Sequence, residues 1–167
     1  MSNIENEQEK VTALRAELDR CLDRCLEMET LHHKSKKFPI SDAPNIMVWV
    51  PYGYDITPII RQWANDNDVN LYEVDWSKVD LKFVNDYENG LLKELSAPHT
   101  VMLLENYSAI NFDTRYLVSS VYKNRTVGGA CEPAPNFFFA IATGSMADPS
   151  NYRLDMSEKS CFMNYKF

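Results

Sequence analysis

Glycine is scarce in this chain: five among 167 residues, at Gly53, Gly90, Gly128, Gly129 and Gly144, and no two of them frame a G-x-x-x-x-G-K-[S/T] phosphate loop. No apolar stretch reaches eighteen residues, so the pattern contains no helical membrane span. The four cysteines, Cys21, Cys25, Cys131 and Cys161, show neither the paired spacing of a disulfide framework nor a Cys-x-x-Cys redox or zinc motif. Histidine occurs three times, as His32 and His33 in a helical segment and His99 ahead of a strand, and no G-x-S-x-G elbow accompanies them, which leaves a Ser-His-Asp hydrolase without its parts. Basic residues are outnumbered, 17 Lys and Arg against 24 Asp and Glu, for a net charge of −7 that argues against a nucleic-acid partner. The one basic cluster, Lys34, Lys36 and Lys37 beside His32 and His33, reads as the solvated end of a helix. The acidic start, Met1 to Glu7, lacks the charged and apolar regions of a secretory leader, and the expectation is a cytoplasmic protein.

What is present is ordinary for a globular chain, 45% apolar and 25% charged, in a length that suits one domain with a proper core. Its most telling features are two apolar runs that stop on polar residues. Thr100-Val101-Met102-Leu103-Leu104 ends on Glu105 and Asn106, and Asn136 to Ala142 ends on Thr143, Gly144 and Ser145. Continuous apolar runs of this length suit strands buried on both faces, and polar residues at their C-terminal ends lie where open α/β sheets place their chemistry.

Residues 5–33 contain no Gly or Pro and are rich in Glu, Leu, Arg and Lys, which predicts one long helix of about 43 Å. Val11, Leu14, Leu18, Cys21, Cys25 and Met28 alternate spacings of three and four, the heptad seam of a coiled coil, with Leu22 and Leu31 widening it. A helix longer than its own domain needs, with such a seam, predicts that part of it packs against another chain or stands away from the body, with docking along its own domain as the alternative. The spacing of Cys21 and Cys25 fits a buried helix face and no standard zinc pattern. The chain therefore divides into a helix at 1–36, a proline-containing linker at 37–44, and a body at 45–167.

In the body the pattern predicts strands at 45–50, 70–75, 100–105 and 136–142, with a fifth at 162–167. Helices are predicted at 56–64, 81–95 and 112–123, and a loop at 126–135. Alternation of this kind means right-handed crossovers and a mostly parallel five-stranded sheet in a three-layer α/β sandwich.

The order of these segments resembles the AAA+ branch of the P-loop ATPases, most closely clamp-loader-like and MoxR-like cores without the helical lid. Thr100 to Asn106 is similar to the Walker B strand and Asn136 to Ser145 to the sensor 1 strand. Ser157 to Cys161 is similar to the arginine-finger region, with Ser160 where the family has Arg and with Lys159 and Arg153 nearby. The resemblance puts Val50-Pro51-Tyr52-Gly53-Tyr54-Asp55-Ile56-Thr57 at the phosphate loop. Val50 and Asp55 then stand at its glycines and Ile56 at its lysine; only Thr57, with Gly53 inside the loop, suits the part. Glu105 stands at the magnesium-holding acid and Asn106 at the water-polarising acid, with a register shifted by one as the alternative; Thr143 or Ser145 is the sensor residue. Phosphoryl transfer depends on charged groups around the phosphates, and the lysine, the base and the arginine are all missing.

The expectation is thus a catalytically silent AAA+-like protein without a cofactor, serving as a binding, structural or regulatory subunit through contacts with another copy or with another AAA+ assembly. Two alternatives accompany it. One is a divergent ATPase, binding ATP and magnesium, completed by a neighbouring subunit. The other is a thioredoxin-like protein without redox cysteines, with Trp49-Val50-Pro51 at the reactive turn.

Overall fold

The structure is a computed structural model and describes residues 3–34, 44–86, 88–124, 139–146 and 161–167. The loop expected at 126–135, the first residues of the strand expected at 136–142, most of the linker, Tyr87, Asp148, Pro149, Arg153, Asp155 and the finger-like segment up to Ser160 lie outside these residues.

The first element is α1 (Asn3–Lys34), 32 residues long as the absence of helix breakers requires. The body follows as β1 (Ile46–Val50), α2 (Thr57–Asp66), β2 (Asn70–Tyr72), α3 (Leu81–Asn85), α4 (Leu91–Leu95), β3 (Thr100–Leu104), α5 (Phe112–Asn124), β4 (Phe139–Ser145) and β5 (Met163–Lys166). Short 3₁₀ turns at Trp76–Lys78 and Tyr107–Ala109 lead out of β2 and β3. The strands form one sheet in the order β2-β3-β4-β1-β5, and every pairing is parallel. The expected α/β class and five-stranded sheet are both present.

The pleat sorts the core into two layers. Ile46, Val48 and Val50 of β1, Val101 and Leu103 of β3, and Phe139 and Ile141 of β4 face α1 and α2. Met47, Met102, Leu104, Ala140 and Ala142 face α4, α5 and Trp76 on the other side. Helices on both faces are what make the strands apolar at every position. Asn45 ties the middle of the sheet to α5: its amide donates to the Tyr122 carbonyl at 3.1 Å and its Oδ1 accepts the Ala140 N–H at 2.8 Å.

Two expectations are corrected. The heptad seam, expected to meet another chain, packs against the sheet of its own chain. Leu14, Leu18, Cys21, Cys25 and Met28 are all between 0 and 3% exposed within the single chain, with Val11 and Leu22 packed beside them. The seam covers the sheet face that α2 alone leaves open, so its apolar stripe is satisfied internally. Burial also raises the Cys21 thiol to about 12, which keeps it protonated and inert. Polar bonds fix the same docking. Arg15 pairs with Asp66 at 2.7 Å, and Trp63 Nε1 donates to Asp19 at 2.9 Å.

The second correction concerns residues 81–95, which form two short helices and not one. Asp86 leaves the helical region with ψ 104°, and its carboxylate accepts the N–H groups of Glu88 and Asn89, both at 3.1 Å. A side chain that satisfies backbone donors in a turn competes with helix continuation, as short Asp side chains do. Smaller differences lie at strand ends: β2 stops at Tyr72 and β3 at Leu104, while β4 continues to Ser145.

Candidate functional site at the carboxyl ends of the strands

The turn after β1 closes through the Tyr54 N–H, which donates to the Pro51 carbonyl at 3.2 Å, with Gly53 at φ +77°. That left-handed angle is the reason for glycine here, since the position is open and a Cβ would meet nothing within 4 Å. Tyr54 turns away toward α1: its hydroxyl donates to Glu7 at 2.6 Å and its ring lies 5.0 Å from that of Phe167. The hydrogen bond to the Glu7 carboxylate, then partial burial, then the Glu7 charge push the Tyr54 phenol up to about 12. Because the folded value lies above the ordinary one near 10, this bond contributes stability below pH 10 and loses it as pH rises through 12. In a phenolate absorbance titration, the group that disappears in Tyr54→Phe is expected to be one that titrates near the top of the curve; loss of a group titrating near 10 would refute the bond.

The first-turn N–H groups of α2 are taken. The Thr57 N–H donates to Asp55 Oδ1 at 3.0 Å, Pro58 has no N–H to give, and Ile59 and Ile60 donate to the Ile56 carbonyl at 3.0 and 3.1 Å. Helix N-termini bind phosphates through free first-turn donors. Here those donors are used, and the acceptor is a carboxylate. Ile56, at the lysine position, is 2% exposed and belongs to the core beneath α1.

The polar strand ends are brought together as pairs. Thr57 Oγ1 donates to Glu105 Oε1 at 2.9 Å, joining the start of α2 to the end of β3. The Asn106 N–H donates to Thr143 Oγ1 at 3.0 Å, joining β3 to β4, with Asn106 itself at φ 51°. Thr143 is buried, and Ser145 follows at the end of β4 opposite Val50 of β1.

Beside these pairs lie residues that the sequence reading passed over. Arg61, one turn along α2 from Thr57, grips the Glu73 carboxylate through Nε at 3.0 and 3.2 Å and through a terminal nitrogen at 2.9 Å. Its pKa is raised first by the bond to Glu73, then by the Glu73 charge, with Glu105 and Asp55 adding to it. Asp75 accepts from the Ser77 hydroxyl and N–H, at 2.6 and 3.1 Å, which holds its carboxyl below the usual range. Together with Trp76, Glu105 and Ile110, these residues line a cavity of about 470 Å³. The Asp-x-Thr-Pro opening of α2 is readable in sequence as a filled helix start. The Arg61–Glu73 pairing, between separate elements, carries no such signal.

No protein-family model and no curated protein sequence matches the chain. Among solved structures it is similar to a candidate ATPase from Cytophaga hutchinsonii, with a TM-score of 0.55 at 12% identity over 98% of this chain and 54% of that one. It is also similar to NtrX from Brucella abortus, a structure in complex with ADP, with a TM-score of 0.53 at 9% identity over 98% of this chain and 41% of that one. The chain thus spans about half the length of these structures or less. At such identities the likeness defines the fold alone, a parallel five-stranded α/β sheet with helices on both faces.

The resemblance of the segment order to the P-loop ATPases implies a nucleotide with magnesium, and the residues fit it on one side only. Thr57 and Glu105, a hydroxyl and a carboxylate 2.9 Å apart, are donors that suit a hard cation. The phosphate side does not fit, because the α2 donors are spent on Asp55 and Ile56 and no lysine stands at Ile56. Among the described residues no group of three or more His, Cys, Asp or Glu is arranged to hold a metal ion.

Proposed function

We propose that this chain is a nucleotide-independent AAA+-like protein that acts as a binding or regulatory subunit through protein contacts. The observation that carries the reading is the closed start of α2, where Asp55 occupies the Thr57 N–H and Pro58 offers none. A carboxylate in that place repels an anion, and a helix start whose first-turn donors are taken, with isoleucine at the lysine position, lacks the groups that stabilise phosphoryl charge in P-loop enzymes. Glu105 and Thr57 then serve each other as partners that hold β3 against α2. With the α1 seam used internally, contacts with other chains fall to the remaining surface, including the cavity side.

The test is thermal unfolding with and without millimolar ATP and magnesium. A ligand at a hundred times its dissociation constant stabilises by about 2.7 kcal/mol. The expected shift is nil; a shift of that size, absent in Thr57→Ala, would overturn the reading.

One observation favours a second reading, a divergent ATPase completed by a partner subunit. The Thr57–Glu105 pair is the hydroxyl and acid that hold magnesium in P-loop enzymes, and its geometry favours the register with Glu105 at the metal-holding position and Asn106 at the base. Under that reading Glu105→Gln abolishes turnover in an assembled complex, and under the first there is no turnover to lose.

A further inference from the structure

The cavity at the strand ends has an unbalanced wall. Among the described residues three carboxylates, Glu73, Asp75 and Glu105, line it against one guanidinium, Arg61, and that guanidinium is committed to Glu73. Asp75 takes hydrogen bonds from Ser77 and has Lys78 at 3.7 Å on an exposed side chain; Glu105 takes one from the neutral Thr57 hydroxyl. Asp55 adds a fourth acid close enough to act on Arg61. The volume of about 470 Å³ is in the range of sites that take a side chain or a small ligand.

A second, independent feature stands beside it. At the start of α5, Phe112 and Tyr116 are 58% and 67% exposed and stack with their ring centres 6.4 Å apart. Large aromatic rings left in solvent are the residue types that anchor protein interfaces. Arg115 links the two features, since its Nη1 donates to the Ile110 carbonyl at 2.6 Å in the cavity wall while its guanidinium carbon lies 5.6 Å from the centre of the Phe112 ring. Arg115 is itself buried, so ring pair and cavity share one rigid support.

The geometry points to a single docking surface for a protein segment that carries an arginine or lysine next to an apolar side chain. The cation enters the acidic cavity and the apolar side chain covers the Phe112–Tyr116 stack. Charge complementarity selects this occupant: a nucleotide, a nucleic acid or an acidic peptide meets the same carboxylates as repulsion. The inference rests on the reading of the chain as a binding subunit and gives its partner a chemistry.

The probes are four soluble peptides with a central Arg-Leu, Lys-Leu, Gln-Leu or Glu-Leu pair flanked by glycine and serine, titrated at millimolar concentration into the 167-residue chain and followed by amide chemical shifts. The expected result is that Arg-Leu and Lys-Leu bind at least fivefold more tightly than Gln-Leu, that Glu-Leu does not bind, and that the shifts centre on Asp75, Glu105 and the start of α5. Asp75→Asn with Glu105→Gln, which keeps acceptors for Ser77 and Thr57, should erase the preference for a cation. Phe112→Ser with Tyr116→Ser, two exposed positions, should weaken all binding at least fivefold. Equal binding of the four peptides, shifts elsewhere, an unchanged preference in the carboxamide variant, or no binding at all would each overturn the proposal. The magnesium–ATP shift is scored separately: a positive shift defeats the nucleotide-independent reading, while failure of the peptides with no ATP shift defeats only this surface.

Discussion

Leu18→Ala is expected to lower stability by about 2–5 kcal/mol and the melting temperature by about 10 °C, without changing the mass of the particle in solution. Leu18 is fully buried in the layer that contains Trp63, Phe139 and Ile141, so truncation leaves a cavity in the chain's own core. Removing residues 3–34 altogether is expected to leave no cooperative unfolding transition. Deletion exposes the sheet face carrying Val48, Val101, Leu103 and Ile141, a loss on the scale of a domain's whole stability. The competing account, in which the seam joins two chains, requires that Leu18→Ala dissociate an oligomer and leave the fold intact. Calorimetry with light scattering on wild type and variant separates these, and a lighter particle with an unchanged transition would refute intrachain docking.

Gly90→Ala is expected to cost about 3 kcal/mol or more, although alanine is the better helix former and Gly90 directly precedes α4. A Cβ there would stand 2.0 Å from the Phe83 carbonyl oxygen and 2.4 Å from that of Asp86, and backbone atoms cannot swing aside as a flexible side chain does. Gly53→Ala serves as the comparison. At Gly53 the space is open and only the left-handed φ of +77° is unfavourable, which costs about 1–2 kcal/mol. Chemical denaturation of both variants should therefore place Gly90→Ala well below Gly53→Ala. The reverse order would mean that the turn between α3 and α4 does not close on Phe83 and Asp86.

The sheet was legible in sequence because burial on both faces forces nearly unbroken apolar strands, and Thr100 to Leu104 and the run into Thr143 have no other good use. The long helix was equally legible, but its partner was not. A seam of Leu14, Leu18, Cys21, Cys25 and Met28 has the same pattern whether it meets another chain or the sheet of its own, and periodicity reports a buried stripe without naming what buries it. Residues 81–95 misled for a different reason. Apolar spacing continued through Gly90, while the break is made by Asp86 capturing two N–H groups, a local bond that outweighs periodicity. At the site, Glu105 and Thr143 were found because strand ends are recognisable. Arg61, Glu73 and Asp75 were missed because their meeting depends on how α2 crosses β2, a tertiary fact with no sequence spacing attached.

The strand order has a consequence for how the chain comes to be folded. β1 finds its two neighbours, β4 and β5, only nearly a hundred residues or more downstream, whereas β2 and β3 lie much closer together in sequence. As the chain leaves the ribosome, β1 and the apolar stripe of α1 are made first and must wait in solvent until the last strands arrive. Such long-range parallel pairing folds slowly and exposes the nascent chain to aggregation. The early segment most in need of shelter is therefore the one that later seals the core.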